Sequence, residues 1–172
     1  MPNKLNIQSM ISSMATALEK YLKQHGIKSF ELVGIRTGGV WVAHAVQKHM
    51  NNTQTLGELD ISFYRDDFTQ VGLNPKVSPS KLPFSPEDKH IILFDDVLMS
   101  GRTVRAAMNE LFDYGRPASI TLAVLVDLGR RELPIYPTIV GSELTLTKNE
   151  HIKLVGPDNL HFDIQRIDQS TP

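Results

Sequence analysis

Ten consecutive residues decide the fold of this chain: Phe94-Asp95-Asp96-Val97-Leu98-Met99-Ser100-Gly101-Arg102-Thr103. They follow the branched apolar run 91–93, which predicts a buried parallel strand. They lead into residues 103–114, whose apolar side chains recur at the spacing of an amphipathic helix. The order along the chain is therefore a strand, two carboxylates, a short turn with a glycine, and the N-terminus of a helix.

This order is suited to binding a sugar phosphate. The turn from Ser100 to Thr103 offers hydroxyls, a cation and the unpaired N–H groups of a helix start, all of which suit phosphate. Asp95 and Asp96 offer acceptors for sugar hydroxyls or for a hydrated metal ion. A solvated turn with an N-cap would explain the two acids alone, but the whole string favours a ligand site. A Walker loop is excluded, because the chain contains no G-x-x-x-x-G-K-[ST].

Length and composition are those of one soluble globular domain spanning residues 1–172, with 41% hydrophobic and 22% charged residues. The chain has no apolar run long enough to span a membrane, and its start lacks the apolar core of a signal peptide. The absence of cysteine excludes disulfides and thiolate sites. We therefore expect a cytoplasmic protein with no membrane partner. A net charge of −1 does not indicate a nucleic-acid binder, although a local basic patch could be cancelled elsewhere.

A second strand, glycine turn and helix precede the first site. The strand 30–35 runs into Arg36-Thr37-Gly38-Gly39, and a helix is expected over residues 40–50. The two glycines alone would make only a tight turn. Beside the first site, however, they suggest a second place where an anion is bound.

The remaining pattern alternates strands with helices. An apolar stripe over residues 7–22 predicts a first helix that stops at Gly26, and period-two alternation predicts a half-buried strand over 59–64. Further strands are expected over 118–126, near 139–140, over 151–155 and over 162–167. The fold class is therefore α/β, with a mostly parallel sheet flanked by helices and a ligand at the carboxyl ends of its strands.

Residues 65–88 contain four prolines and no steady period. A loop this long within a compact domain is usually a functional lid or a disordered segment. We favour a flexible lid over a loose linker, because one core sequence continues on both sides. Arg65, at its root, is a candidate for pairing with an anionic ligand after closure.

The ten-residue string resembles the phosphoribosyl diphosphate (PRPP) signature of type I phosphoribosyltransferases. Five further stretches resemble one group within that fold, the PyrR family of bacterial pyrimidine-operon regulators: LVGIRTGGV (32–40), DISFYRDD (60–67), GRTVRAA (101–107), LAVLVD (122–127) and RELPI (131–135). The resemblance implies a type I phosphoribosyltransferase fold with a lid loop, about 65–88, and a small hood, about 127–150. It also implies conversion of uracil and PRPP to UMP and diphosphate, and in some members binding of pyr leader mRNA in response to UMP.

The resemblance also implies roles for individual residues. The catalytic set is Asp95, Asp96 and Arg65. The PRPP- and phosphate-binding set is Arg36, Thr37, Gly38, Val97, Leu98, Met99, Ser100, Gly101, Arg102 and Thr103; the first three lie where the family holds the diphosphate. The base-binding set is Val126, Asp127 and Arg130, and the RNA-binding set is Thr145, Thr147 and Lys148. Mg²⁺ is expected to arrive with PRPP near the two acids rather than at a protein site of its own, and a homodimer or larger homo-oligomer is expected.

Departures from the family pattern keep alternatives open. Met99 stands where 6-oxopurine transferases have a proton-transferring aspartate, which counts against hypoxanthine and guanine, and where the PyrR family commonly has tyrosine. Leu128 and Arg130 stand in place of the family's arginine and histidine. Residues 5–19 contain no Lys or Arg, although RNA-binding members use a basic first helix. One alternative is a sensor of PRPP or UMP that binds RNA with little catalysis, and another is a transferase for another base.

Overall fold

The computed structural model describes residues 5–62 and 79–167. Its elements are α1 (Ile7–Gln24), β1 (Glu31–Ile35), α2 (Gly38–His49), β2 (Gly57–Leu59), β3 (His90–Leu98), α3 (Arg102–Tyr114), β4 (Ser119–Asp127), β5 (Ile139–Glu143), β6 (Glu150–Val155) and β7 (His161–Arg166). Five strands form a parallel sheet in the order β2-β1-β3-β4-β5. The last two form a separate antiparallel hairpin. The predicted α/β fold with a mostly parallel sheet is confirmed.

Both faces of the sheet are covered, which explains why its central strands are apolar without interruption. Along β3, Ile92 and Phe94 face a core shared with α1 and α2. Ile91 and Leu93 face a second core shared with α3. The helices are thus divided between the two faces, and the carboxyl ends of the strands are left for the turns that precede α2 and α3.

Strand β3 is longer than the sequence predicts. The apolar run at 91–93 indicated a strand that ends before the two acids, but the parallel pairing with β4 continues from Asp95, opposite Val124, to Leu98, opposite Asp127. The acids therefore lie within the last part of the strand, where the backbone is held on the sheet.

Strand β2 ends earlier than the sequence predicts. It covers Gly57–Leu59, whereas the alternation predicted a strand over 59–64, of which 63–64 lie outside the described residues. The Asp60 carboxylate accepts a hydrogen bond from the Ser62 N–H at 3.0 Å, and the Asp60 N–H donates to the Ser80 hydroxyl at 3.0 Å. These bonds take the chain out of the ladder directly after Leu59.

The β6–β7 hairpin packs against the helical layer. Leu154 is buried in the same core as α1 and α2, and a side-chain carbon at Gly156 would lie 3.0 Å from the Trp41 ring. The predicted helices and the three short C-terminal strands are all present, with bounds that differ by a few residues. Within residues 5–62 and 79–167, no helix has the length and apolar character needed to cross a membrane.

Candidate active site

The turn after β3 leads directly into α3. Gly101 precedes the helix with φ of 93°, a left-handed conformation that glycine adopts readily. The Ser100 hydroxyl accepts a hydrogen bond from the Arg102 N–H at 3.2 Å. A side-chain carbon at Gly101 would also lie 3.2 Å from Cβ of Ile135. The turn is therefore compact, and it places the N-terminus of α3 at the carboxyl edge of the sheet.

Backbone N–H groups hold the two acids beside this turn. Asp95 is only 3% exposed, and its Oδ1 accepts from the Asp96 N–H at 2.9 Å. Asp96 is half-buried, and its Oδ1 accepts from the Val97 N–H at 2.9 Å. Each acid therefore has one carboxyl oxygen held by the next backbone N–H group, which fixes the orientation of its side chain.

The turn before α2 meets these acids. A side-chain carbon at Gly38 would overlap the Asp96 carboxylate, and one at Gly39 would overlap the Phe94 carbonyl oxygen. The peptide bond between Arg36 and Thr37 is cis. Because β1 lies beside β3 in the sheet, the two turns predicted to bind anions come together at one edge.

The Arg36 side chain is directed toward β2 and the segment that follows residue 78. Its Nε donates to Oε2 of Glu58 at 2.9 Å, and its Nη1 donates to the Pro79 carbonyl at 3.1 Å and lies 3.6 Å from Oδ2 of Asp60. The guanidinium charge is therefore balanced by two carboxylates. These contacts fix the Arg36 side chain against β2. The next two residues, Thr37 and Gly38, open α2.

The segment after β4 forms the neighbouring wall. Asp127 receives hydrogen bonds from Nη2 of Arg131 at 2.6 Å and from the Gly129 N–H at 2.8 Å. Partial burial acts to raise the pKa of Asp127, but these hydrogen bonds and the Arg131 charge outweigh it and hold the pKa below its ordinary value. The Val126 side chain is fully buried. Any contact of Val126 with a base would therefore go through its backbone.

A cavity of about 210 Å³ opens between the turn that precedes α3 and the β6–β7 hairpin. Its lining is Asp95, Val97, Leu98, Met99, Ser100, Gly101, Thr103, Leu128, Arg130, Leu146, Glu150, His151 and Ile152. The Arg130 guanidinium donates to the Leu146 carbonyl oxygen across this space. Leu128 and the last four lining residues are absent from the predicted site. Only the apolar Leu146 between two threonines gives a sequence signal of an inward-facing side chain.

The three residues predicted to bind RNA lie on the outer side of the same loop. Thr145, Thr147 and Lys148 are exposed, whereas Leu146 between them is buried against the cavity. The Thr147 N–H donates to Oε2 of Glu150 at 2.9 Å, and this hydrogen bond is the main cause that lowers the pKa of Glu150. Loop and cavity wall are therefore parts of one short segment.

Part of the predicted lid is attached to the edge of the sheet. Of residues 65–88, the structure describes 79–88, and Arg65 lies outside the described residues. Glu58 and Lys81 exchange two backbone hydrogen bonds of 2.8 Å, and Leu82 and Phe84 pack against the core beneath α3.

No group of three or more His, Asp or Glu side chains within the described ranges could hold a metal ion. The two acids of β3 are a donor set for a hard cation that keeps waters and substrate oxygens as its other ligands. These oxygens fit a partly hydrated Mg²⁺ ion.

Comparison with known proteins agrees with this geometry. The family described as "Phosphoribosyl transferase domain" matches residues 4–158. "Bifunctional protein PyrR" of Pseudomonas syringae pv. tomato is 58% identical over 94% of this chain and 95% of its own length. The protein of the same name from Pseudomonas aeruginosa PAO1 is 57% identical over 92% and 93%. The chain belongs to the PyrR family of phosphoribosyltransferases.

Solved structures similar to this PyrR-family chain are hypoxanthine phosphoribosyltransferases. That of Trypanosoma cruzi has a TM-score of 0.68 at 17% identity, covering 93% of this chain and 91% of its own. That of Staphylococcus aureus has a TM-score of 0.63 at 20% identity, covering 84% and 78%. These likenesses show the type I phosphoribosyltransferase fold. At such identities they carry no information about the base.

Proposed function

We propose that this phosphoribosyltransferase of the PyrR family converts uracil and PRPP to UMP and diphosphate. We further propose that it regulates pyrimidine operons by binding pyr leader mRNA in response to UMP. The observation that carries the enzymatic part is the meeting of two glycine turns at the Asp95–Asp96 pair. One turn opens α3 and suits a 5′-phosphate, and the other opens α2 and suits a diphosphate.

The reaction is a displacement at the anomeric carbon of PRPP, and positioning supplies most of the catalysis. Asp95 and Asp96 accept hydrogen bonds from the ribose hydroxyls. Their negative charge stabilises the positive charge that develops on the ribose ring in the transition state. The turn from Ser100 to Thr103 binds the 5′-phosphate, while Thr37 and Gly38 face the leaving diphosphate. Asp95 and Asp96 would lie beside the Mg²⁺ that PRPP carries, and this ion would neutralise charge on the leaving group.

We propose uracil rather than a 6-oxopurine as the base bound in this cavity. Leu128, Leu146 and Ile152 supply apolar surface for a flat ring, and Arg130 supplies a polar group beside it. Met99, on the same wall, has a thioether that cannot exchange a proton with a purine imidazole. The proposed base contacts also include the backbone of Val126 and Asp127, which end β4 next to Leu128.

The regulatory part has a structural basis in the loop 144–149. Thr145, Thr147 and Lys148 are exposed on the side opposite Leu146, which lines the cavity. A nucleotide in the cavity would contact the loop from within while RNA contacts it from outside. The proposal also includes a lid over about 65–88 with Arg65 at its root, a hood over about 127–150, cytoplasmic location and a homo-oligomer.

The test is nucleotide formation from PRPP and Mg²⁺, with uracil, hypoxanthine, guanine, adenine and orotate offered separately. We expect UMP from uracil and no product from the other bases. Product from a purine or from orotate would reject uracil as the substrate. Absence of product with every base, in folded protein that binds UMP, would favour the alternative function, a nucleotide sensor.

A further inference from the structure

Residues 128–135, which follow β4, pack against the turn that precedes α3. We call this turn, residues 99–103, the phosphate turn. Arg131 connects the two segments. Its side chain is only 11% exposed. It donates to Oδ2 of Asp127 at 2.6 Å, to the Ile135 carbonyl at 2.6 Å and to the Met99 carbonyl at 3.0 Å. One planar guanidinium thus ties the end of β4, the segment itself and the phosphate turn together.

The next carbonyl of the turn is held by the same segment. The Ser100 carbonyl accepts hydrogen bonds from the N–H groups of Glu132 at 3.0 Å and Leu133 at 3.1 Å. Two successive carbonyls, those of Met99 and Ser100, therefore point toward residues 131–133.

The direction of these carbonyls fixes the direction of two N–H groups. In a trans peptide the C=O and N–H bonds point to opposite sides, and within the described residues the cis peptides lie only at Arg36–Thr37 and Gly156–Pro157. The Met99 carbonyl shares its peptide with the Ser100 N–H, and the Ser100 carbonyl shares its peptide with the Gly101 N–H. Both N–H groups consequently point away from residues 131–133.

An anion bound by the Ser100 and Gly101 N–H groups would lie in the cavity beside the turn. Met99, Ser100 and Gly101 line it, and α3 begins at the next residue. Successive N–H groups at a helix N-terminus form a concavity that binds anions.

We propose that Arg131 is a positioning residue, which holds the Met99 carbonyl so that the N–H groups of the phosphate turn are aimed at the 5′-phosphate of the bound substrate. The proposal rests on the proposed function for the identity of that substrate. Arg102 is not assigned this positioning role, because its ion pair with Glu132, at 2.8 Å, is half exposed and is screened by solvent.

The experiment compares the unaltered protein with Arg131→Lys and Arg131→Met. Ribose 5-phosphate binding is measured by calorimetry, and the KM values for PRPP and for uracil are measured separately. Because Arg131→Met leaves the Asp127 carboxylate unpaired, the double variant Asp127→Asn/Arg131→Met is included and its fold is checked by thermal unfolding. Lys89→Met is the matched control, since it breaks a 2.8 Å ion pair with Glu31 at the opposite end of the sheet.

We expect Arg131→Met to weaken ribose 5-phosphate binding by about tenfold or more, the size expected from loss of a charged hydrogen bond. The KM for PRPP should rise in parallel, while the KM for uracil changes little. The double variant should show the same loss of ribose 5-phosphate affinity and the same rise in the KM for PRPP, and Arg131→Lys should be intermediate, because an ammonium cannot serve all three acceptors. Lys89→Met should leave both constants unchanged.

Unchanged ribose 5-phosphate affinity in the folded variants would overturn the proposal, as would equal effects of Arg131→Lys on the two KM values. Failure of the unaltered protein to bind ribose 5-phosphate would also overturn it. The readout is independent of the base. Weaker binding by Arg131→Met in a protein that makes no UMP would therefore support the positioning role while the proposed function fails.

Discussion

Gly38 and Asp96 lie so close together that any side chain at position 38 would overlap the Asp96 carboxylate. The two residues come from different elements: Gly38 opens α2, and Asp96 lies in the last part of β3. The observed position of the Asp96 carboxylate therefore requires glycine at position 38. The two halves of the proposed PRPP site, the turn that opens α2 and the acids of β3, depend on each other through this contact.

Gly38→Ala is the first prediction. A methyl group would displace the Asp96 carboxylate, and we expect turnover to fall by roughly 10²-fold, the loss that accompanies a misplacement of about 1 Å. Alanine is the better helix former, so stability should change little. Steady-state kinetics and thermal unfolding measure the two effects. His44→Ala, on the exposed side of α2, is the control, and normal turnover in Gly38→Ala would refute the dependence.

Asp96→Asn removes the charge and keeps the shape. Loss of one preorganised electrostatic partner should lower kcat by roughly 10²–10³, or about 3–4 kcal/mol. Asp113→Asn, which changes an exposed carboxylate on α3, should have no effect. A rate like that of the unaltered protein in Asp96→Asn would remove this residue from the catalytic set.

Acid stability should depend on Asp127. Its pKa is lower in the folded protein than in the unfolded chain, so the unfolded chain binds more protons in the acidic range. The stabilisation is therefore complete above the unfolded pKa of about 3.9, and it is lost as the pH falls through the lower folded value. Denaturant unfolding from pH 6 to pH 3 should show a shallower loss of stability in Asp127→Asn than in the unaltered protein. Equal slopes would contradict the pairing with Arg131, and Asp113→Asn serves as the control.

Lys148→Ala tests the RNA surface. If the exposed loop 144–149 binds RNA, the variant should weaken leader-RNA binding at all salt concentrations and reduce the salt slope by about one unit. Uracil phosphoribosyltransferase activity should be unchanged. Lys20→Ala, on the exposed side of α1, is the matched control. Equal RNA affinities for both variants would place the RNA elsewhere, and no specific binding by the unaltered protein would remove the regulatory part of the proposal.

Local patterns predicted the parts of the site that are close in sequence. The acids, the Ser100-Gly101 turn and the start of α3 are contiguous, so a strand followed by a turn and a helix could be read directly. The pairing of β1 with β3 then brings Gly38 to Asp96. That β3 continues through the acids was not predicted, because the apolar run ends before Asp95 while the ladder with β4 does not.

Long-range contacts account for what the sequence did not indicate. The sequence did not indicate that the Arg36 side chain pairs with Glu58, since this partner follows from the place of β2 beside β1. The bond from Arg131 to the Met99 carbonyl joins residues 32 positions apart. The cavity wall from β6 belongs to a hairpin outside the main sheet, and no local period reveals which of its side chains face the site.

The most direct test of the central claim is a crystal structure of the complex with UMP. The account predicts that the 5′-phosphate accepts hydrogen bonds from the N–H groups between Ser100 and Thr103, with the ribose hydroxyls on Asp95 and Asp96. It also predicts the uracil ring between Leu128 and Ile152. A phosphate bound away from this turn, or a ribose that touches neither acid, would contradict it.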